Sequence, residues 1–204
     1  MIFEKYEGGP LLAISYLVAD EKPREGIIID AAQGAAEALS EFVNKNKLEI
    51  LYLINTHGHW DHIQDNNEIK KAFGCRIACH RLDAEWLEKP NAYFALPMKI
   101  EPSKPDKHLE DNGILKIGNL EFRILHTPGH TQGSICLYLE RQKMLFTGDV
   151  LFAGTYGRVD FPKSDPKKMR ETLKRLSMLP PETKVYPGHG GSTTIGDEKW
   201  LMRL

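Results

Sequence analysis

Apolar and polar positions alternate along the chain in a way that predicts strands and helices in succession. Two apolar runs, residues 11–19 and 26–29, flank a short turn-like segment and are expected to pair as strands. In residues 34–46 the apolar positions recur at the spacing of one helix face, which predicts an amphipathic helix covering a sheet. Residues 49–55 are almost continuously apolar, as in a strand buried on both faces. The strand, helix and strand together predict a βαβ crossover.

The rest of the chain repeats this order of strands and covering helices. A looser helical pattern over residues 63–73 would end at Gly74, and Asp165 and Pro166 are suited to the cap and first turn of another helix. Four closely spaced apolar runs predict a meander in a second sheet, and one terminal helix is expected after His189. Two sheets with helices outside each would account for this order. The further strands predicted are 76–79, 114–117, 120–125, 134–139, 144–146 and 183–186.

Residues 89–107 differ from their surroundings because they hold four prolines, which interrupt any regular element. We interpret this segment as a long excursion over the surface. It would serve either as a lid over a site or as an irregular connection without a function of its own.

Composition narrows the class of protein. At 204 residues the chain is expected to form one domain over residues 1–204, or two closely packed halves, with a sizeable core. Apolar residues make up 41% and charged residues 27%, which is ordinary for a globular protein. The net charge of −1 offers no electrostatic footprint for nucleic acid or an anionic membrane, so a small-molecule partner is expected.

Cysteine usage and the N-terminus bear on cellular location. Three cysteines cannot all pair, and none of them forms the C-x-x-C spacing of a structural zinc site. The first residues lack a basic stretch followed by an apolar one, and the apolar run at 11–18 is too short to span a bilayer. We therefore expect a cytoplasmic protein without a membrane partner.

One short stretch concentrates side chains that bind metals. His57, His59, Asp61 and His62 fall within six residues, a density that neither a packed core nor a solvated surface needs. They begin at the carboxyl end of a predicted buried strand, where α/β folds bind their ligands. His57 and His59 face the same way in an extended chain, whereas the adjacent Asp61 and His62 require a turn to reach a common centre.

Three further candidate ligands, His130, Asp149 and His189, lie where predicted strands end and stand next to glycines, which let the backbone approach closely. With the first four they provide five imidazoles and two carboxylates, too many for one tetrahedral zinc but suited to two ions with open positions. Such ions would lower the pKa of a shared water toward about 7, which makes hydroxide the nucleophile. We expect two zinc ions per chain, although this donor set also tolerates iron or manganese.

The order of these residues, His-x-His-x-Asp-His followed by a distant His, a distant Asp and a final His, resembles the motif of the metallo-β-lactamase superfamily. The resemblance extends over nearly the whole chain. It implies an α/β fold of four layers, an αββα sandwich with two mixed sheets inside and helices outside. It also implies two metal ions bridged by Asp149. The ligands it implies are His57, His59 and His130 for one ion and Asp61, His62 and His189 for the other.

Two stretches, residues 154–161 and 187–198, look like the small glyoxalase II-type hydrolases. This likeness implies hydrolysis of a thioester such as S-lactoylglutathione, with Asp61 orienting the attacking hydroxide. Full-length glyoxalase II carries an additional C-terminal helical domain that contacts glutathione, and we expect this chain to lack one.

The loop after Asp149 supplies two candidates for binding the substrate, Arg158 and Tyr156. In glyoxalase II a basic residue and an aromatic residue two positions later contact glutathione. Arg158 matches the first, whereas Asp160 stands in place of the second. Arg158 could equally pair with Asp160 and stiffen the loop, so the thiol portion of the substrate stays open.

Other functions remain as alternatives. Persulfide dioxygenases share the Gly-Arg-x-Asp-Phe loop and use a single iron, so an iron oxidoreductase is the first alternative. A metal-stabilised binding or nuclease module and a β-lactamase are disfavoured, because the sequence shows neither a basic patch nor a secretion signal. His80, His108 and His126 are expected on the surface or behind the ligands, and His126 is the candidate to support His130.

Overall fold

Two six-stranded sheets form the centre of the computed structural model, which describes residues 1–92 and 99–204. In the first sheet the strands lie in chain order: β1 (Ile2–Gly8), β2 (Ala13–Ala19), β3 (Glu25–Ile29), β4 (Glu49–Ile54), β5 (Arg76–His80) and β6 (Lys107–Leu109). Pairing is antiparallel from β1 to β3 and parallel from β3 to β6. The predicted strand, helix and strand crossover between β3 and β4 is confirmed.

The second sheet contains the predicted meander. Its first four strands are β7 (Ile114–Ile117), β8 (Leu120–His126), β9 (Ile135–Leu139) and β10 (Met144–Gly148), each antiparallel to the next. A small hairpin of β11 (Leu151–Phe152) and β12 (Thr155–Tyr156) follows. Then β13 (Lys184–Pro187) pairs in parallel with β10, and β14 (Thr193–Thr194) borders it. Both sheets are therefore mixed.

Three apolar clusters show how the layers stack. Ile27, Phe122 and Phe146 belong to the cluster that lies between the two sheets. On the far side of the first sheet, Leu39 and other helix residues pack against its strands, and the last long helix covers the second sheet in the same way. The predicted four-layer α/β sandwich is confirmed. The helices are α1 (Ala35–Asn46), α2 (Trp60–Ile63), α3 (Asn66–Phe73), α4 (Ala84–Glu88) and α5 (Pro166–Ser177).

Helix α5 begins where the sequence predicts. The Asp165 carboxylate accepts hydrogen bonds from the backbone N–H groups of Lys167 and Lys168, at 2.8 and 3.1 Å, and Pro166 occupies the first turn. This arrangement satisfies two amides that have no partner within the helix. The backbone N–H of Asp165 also donates to the carbonyl of Gly129, which fixes the start of α5 beside His130.

The single helix predicted over residues 63–73 is wrong in its first part. The chain forms the short α2, breaks, and then forms α3, which ends at Gly74 as expected. The break follows from the bonding of the His62 carbonyl, which accepts from the Ala31 N–H and the Asn55 side chain, at 2.8 and 2.9 Å, rather than continuing a helix. Tertiary bonding thus overrides the apolar periodicity.

Two further differences concern the ends of the chain. Strand β1 has no counterpart among the predicted elements, because it is an edge strand in which partly buried and exposed positions are mixed. The terminal helix expected after His189 takes the form of a five-residue 3₁₀ helix, Lys199–Arg203.

The proline-containing segment is described only in part. Residues 93–98, which belong to the predicted excursion over 89–107, lie outside the described residues. The prediction of either a lid or a simple connection falls on those residues. The flank that follows is packed, since Ile100 and Ser103 are buried and Ser103 accepts a hydrogen bond from the Asn66 side chain.

None of the helices in residues 1–92 and 99–204 has the length and apolar character needed to cross a bilayer. Cys75, Cys79 and Cys136 are buried free thiols, and burial raises the pKa of Cys79 and of Cys136 to about 12. Thiols of this kind are packing residues rather than nucleophiles.

Candidate metal centre

The seven predicted ligands meet at one edge of the sandwich. The first four follow β4, and the others follow strands of the second sheet, so the carboxyl ends of strands from both sheets supply the site. A turn into α2 directs Asp61 and His62 back toward the centre, as the spacing of the motif requires. The residues brought together are His57, His59, Asp61, His62, His130, Asp149 and His189.

Three buried histidines form the first ligand group. One ring nitrogen from each of His57, His59 and His130 lies within 4.8 Å of the others, and ring centroids are 4.5 to 4.9 Å apart. The Nε2 atoms of His57 and His130 are buried without a hydrogen-bond partner among the described residues. A buried polar atom with no such partner is unfavourable, so these nitrogens are suited to a metal.

The second ligand group consists of Asp61, His62 and His189. His62 Nε2 lies 3.2 Å from His189 Nε2, while Asp61 Oδ2 lies 3.2 Å from His189 Nε2 and 3.6 Å from His62 Nε2. These three donors also fall within 4.8 Å of one another. The group therefore offers one carboxylate and two imidazoles to a second ion.

Asp149 stands between the two groups. Its Oδ1 is 3.3 Å from His62 Nε2, and its Oδ2 is 3.5 Å from His130 Nε2 and 3.6 Å from His189 Nε2. One carboxylate thus contacts histidines of both groups, which is the geometry that a bridging ligand needs.

Burial keeps the first group neutral. Because burial disfavours the imidazolium form and the neighbouring rings add to that effect, the pKa of His57 lies well below its ordinary 6.5 and the pKa of His59 falls to about 3. Neutral imidazole is the form that binds a metal. These histidines are therefore ready for coordination at neutral pH.

The second group has the opposite electrostatics. Burial alone would lower the pKa of His62, but the carboxylates of Asp149, Asp61 and Asp30 together raise it well above 6.5. The same contact with His62 helps to hold the pKa of Asp149 well below its ordinary value, against the effect of burial. Metal binding here would displace a proton, which makes the affinity depend on pH.

Hydrogen bonds behind the ligands orient the rings. His130 Nδ1 donates to the Arg158 carbonyl at 2.8 Å, and His189 Nδ1 donates to the Leu11 carbonyl at 3.0 Å. Such bonds direct the Nε2 of each ring toward the centre. Since these carbonyls come from distant loops, the ligand geometry depends on the tertiary fold.

Asp30 is the main supporting residue that the motif does not include. Its carboxylate accepts from His62 Nδ1 at 2.9 Å and from the Thr56 N–H and hydroxyl, at 2.7 and 2.8 Å. Thr56 Oγ1 in turn lies 3.1 Å from His57 Nδ1. Asp30 is buried at the end of β3, and an acidic residue closing an apolar run was the signal available in the sequence.

The donor set fits two metal ions. Each group offers three imidazole or carboxylate donors, Asp149 can join them, and no described cysteine is among the clustered donors. Nitrogen and oxygen donors of this kind suit zinc and also iron or manganese.

A cleft of about 480 Å³ opens over this cluster. Leu11, Trp60, Phe152 and Phe161 give it apolar walls, and Arg158 lies at its side. Its surface thus combines ligand atoms at the base with apolar walls, which is typical of a pocket for a small molecule.

The two predicted substrate-binding residues occupy different places. Arg158 lines the cleft, where it makes a two-point ion pair with Asp160, at 2.9 and 2.7 Å, and lies 4.1 Å above the Phe161 ring. Tyr156 faces away and packs against Trp200, with ring centroids 5.8 Å apart. The structure brings Arg158 to the site but not Tyr156.

The three remaining histidines lie apart from the clustered donors. His80 and His126 stack in parallel with centroids 4.1 Å apart, and His108 is exposed on β6. His126 Nε2 donates to the Gln132 carbonyl at 2.9 Å, so it contacts the loop that carries His130 rather than the ring itself.

The fold and the cluster define a metal-site protein built on an αββα sandwich. Residues 8–189 match the sequence model of Lactamase_B, the metallo-beta-lactamase superfamily, and the chain belongs to that superfamily. Among curated relatives, hydroxyacylglutathione hydrolase GloC of Haemophilus influenzae is 38% identical over 186 residues, covering 88% of this chain and 86% of its own.

Two solved structures show the same fold over nearly the full length. The BLEG-1 B3 metallo-beta-lactamase superposes with a TM-score of 0.87 at 33% identity, covering 97% of this chain and 96% of its own. TTHA1623, crystallised in a di-iron-bound form, superposes with a TM-score of 0.85 at 35% identity and covers 96% of each chain. One of these proteins is named a hydroxyacylglutathione hydrolase and another a metallo-beta-lactamase, and a third was crystallised with two iron ions, so superfamily membership fixes neither the substrate nor the metal of this chain.

Proposed function

We propose that the chain is a dinuclear metal-dependent hydrolase that cleaves a thioester such as S-lactoylglutathione. The observation that carries this proposal is the pair of ligand groups joined by Asp149 at the base of a single cleft. The name of the Haemophilus relative supports a thioester as the substrate. We propose zinc as the metal and iron as the second choice, which the di-iron neighbour supports.

The reaction divides between the metals and the protein. Divalent ions held by the two ligand groups would supply Lewis acidity and would lower the pKa of a bound water toward about 7. Asp61 belongs to the second group and also lines the cleft, so its carboxylate can accept a hydrogen bond from the attacking water and orient it toward the substrate carbonyl. The water oxygen would form a C–O bond with the carbonyl carbon as the C–S bond breaks, which gives a carboxylate and a thiol and releases one proton.

The walls of the cleft support this chemistry. Trp60, Phe152 and Phe161 line the cleft and would shield the scissile bond from bulk water, which would strengthen the electrostatic interactions at the base. None of the described cysteines lines the cleft, in agreement with water rather than a thiol as the nucleophile.

An iron oxidoreductase acting on persulfides is the second candidate. The loop from Gly157 to Phe161, which holds Arg158 against the cleft, is the feature that favours it. The second ligand group favours hydrolysis, because a mononuclear iron enzyme has no need of three further donors.

The test compares the two reactions on one sample. We expect the purified protein to release thiol from S-lactoylglutathione, to lose that activity on dialysis against a chelator and to regain it when zinc is added. Persulfide-dependent oxygen consumption should be absent. Oxygen consumption with persulfide, without thiol release from any thioester, would overturn the proposal in favour of the second candidate.

A further inference from the structure

Asp83 is a fully buried carboxylate outside the ligand motif. It ends a short 3₁₀ helix, Arg81–Asp83, that follows β5, and its side chain has 0% exposure. A buried carboxylate is costly unless hydrogen bonds compensate for the lost water. The buried carboxylate of Asp83 therefore needs hydrogen-bond donors around it.

The partners of Asp83 come from two loops that carry ligands. Its Oδ2 accepts from the Gly58 N–H at 2.9 Å and from the Thr131 hydroxyl at 2.6 Å, while its Oδ1 accepts from the Gly133 N–H at 2.6 Å. Gly58 lies between His57 and His59. Thr131 and Gly133 follow His130, so one carboxylate connects the backbone around all three histidines of the first group.

Close packing leaves little freedom at these contacts. A Cβ on Gly133 would lie 2.5 Å from Asp83 Oδ1, and a Cβ on Gly58 would collide with the side chain of Trp86. Trp86 also packs edge-on against His59, with centroids 5.2 Å apart. The segment from Asp83 to Trp86 thus packs directly against the first ligand group.

We propose that Asp83 is a positioning residue that sets the spacing of His57, His59 and His130 and so determines metal affinity at the first ligand group. This inference rests on the proposed metal centre. The hydrogen bonds of Asp83 go to the loops around the first group, whereas His62 of the second group bonds to Asp30.

The substitution Asp83→Asn tests the inference with little change in volume. Each oxygen of Asp83 accepts from a backbone N–H, so an amide must turn its NH₂ toward either Gly58 N or Gly133 N. One donor would then face another donor, and the two loops would separate. The loss of such an outer hydrogen bond typically weakens metal binding by about 10- to 100-fold.

The readout is a titration of metal-free protein with Co²⁺ in the presence of a competing chelator, followed by visible absorption. For Asp83→Asn we expect one of the two binding steps to weaken at least about tenfold, with an altered cobalt spectrum for that step, while the other step keeps its affinity. This titration uses no thioester, so it can succeed or fail independently of the hydrolase assay.

Asp20 offers a matched control. Asp20 is 7% exposed and lies beyond the end of β2 remote from His189. Its carboxylate accepts hydrogen bonds from the backbone N–H groups of Lys22 and Asn119, at 2.9 and 2.6 Å. Asp20→Asn should lower the melting temperature without changing either cobalt step. Unchanged cobalt binding in Asp83→Asn, or equal weakening of both steps in the two variants, would overturn the proposal.

Thr131 gives a second variant in case Asp83→Asn does not fold. Thr131→Val removes one of the three donors to Asp83, whereas Thr131→Ser retains the hydroxyl. We expect one of the two cobalt-binding steps to weaken in Thr131→Val and to recover in Thr131→Ser. Equal cobalt affinities in these two variants would likewise contradict the role of Asp83.

Discussion

At the scale of single residues, Asp149 is the side chain on which the two-ion arrangement depends. It contacts His62 and His189 of one ligand group and His130 of the other. We predict that Asp149→Ala keeps the fold but loses at least one metal ion per chain, because neither ion retains its shared carboxylate.

Metal analysis by mass spectrometry together with far-ultraviolet circular dichroism checks this prediction. Asp160→Ala serves as the control, since Asp160 is an exposed carboxylate that pairs with Arg158 and belongs to neither ligand group. If Asp149→Ala binds as much metal as the unaltered chain, the bridging assignment is wrong.

Arg158 gives a prediction about the substrate. Its guanidinium lies at the cleft but is held by Asp160, and an exposed ion pair of this kind is weak because solvent screens it. We predict that Asp160→Ala, which releases the guanidinium, lowers KM for a thioester with carboxylates on its thiol portion, by roughly two- to fivefold. Arg158→Ala should raise that KM.

The measurement compares S-lactoylglutathione with a neutral thioester of similar size, and kcat should change little in either variant. An equal change in KM for the neutral thioester would show that Arg158 stiffens the loop without contacting the substrate's charge.

The candidate ligands could be predicted from the sequence, but the residues that orient them could not. The seven ligand candidates follow from residue type and spacing, whereas the bonds of Asp30 and Asp83 join segments 25 to 50 residues apart. No local pattern encodes such contacts. For Tyr156, its position in the loop after Asp149 indicated substrate binding. The sequence did not show that its ring packs against Trp200.

At the scale of elements, the N-terminus of α5 is a local feature with a measurable contribution. Asp165 caps it through the amides of Lys167 and Lys168. We predict that Asp165→Ala lowers the free energy of unfolding by about 1 kcal/mol, or roughly 2–4 °C in melting temperature for a chain of this size. Asp165→Ser, which can still cap, should recover most of the loss.

Thermal unfolding followed by circular dichroism measures this effect. Equal destabilisation by Ala and Ser would show that the side chain acts by something other than capping.

Elements with strong periodicity were predicted well, and elements defined by their neighbours were not. α1, α5 and the meander strands follow from apolar spacing and cap residues. The separation of α2 from α3 does not, because it depends on the His62 carbonyl bonding to Ala31 and Asn55. Edge strand β1 lacks the apolar run that marked the buried strands.

At the scale of the whole molecule, the fold places ligands from both halves at one edge. His57 to His62 follow β4 of the first sheet, while His130 follows β8 and His189 follows β13 of the second. Neither sheet alone holds a complete set of donors, so the stacking of the two sheets creates the centre. The sequence motif predicted which residues would meet, and the fold explains how they do.

The central claim is that two metal ions per chain activate water for thioester hydrolysis. It is tested most directly by the metal-to-protein ratio of the purified chain, measured on the same sample as thiol release from S-lactoylglutathione in an oxygen-free cuvette. The account predicts two ions per chain and full turnover without oxygen. A single iron per chain, with turnover that requires oxygen, would contradict it.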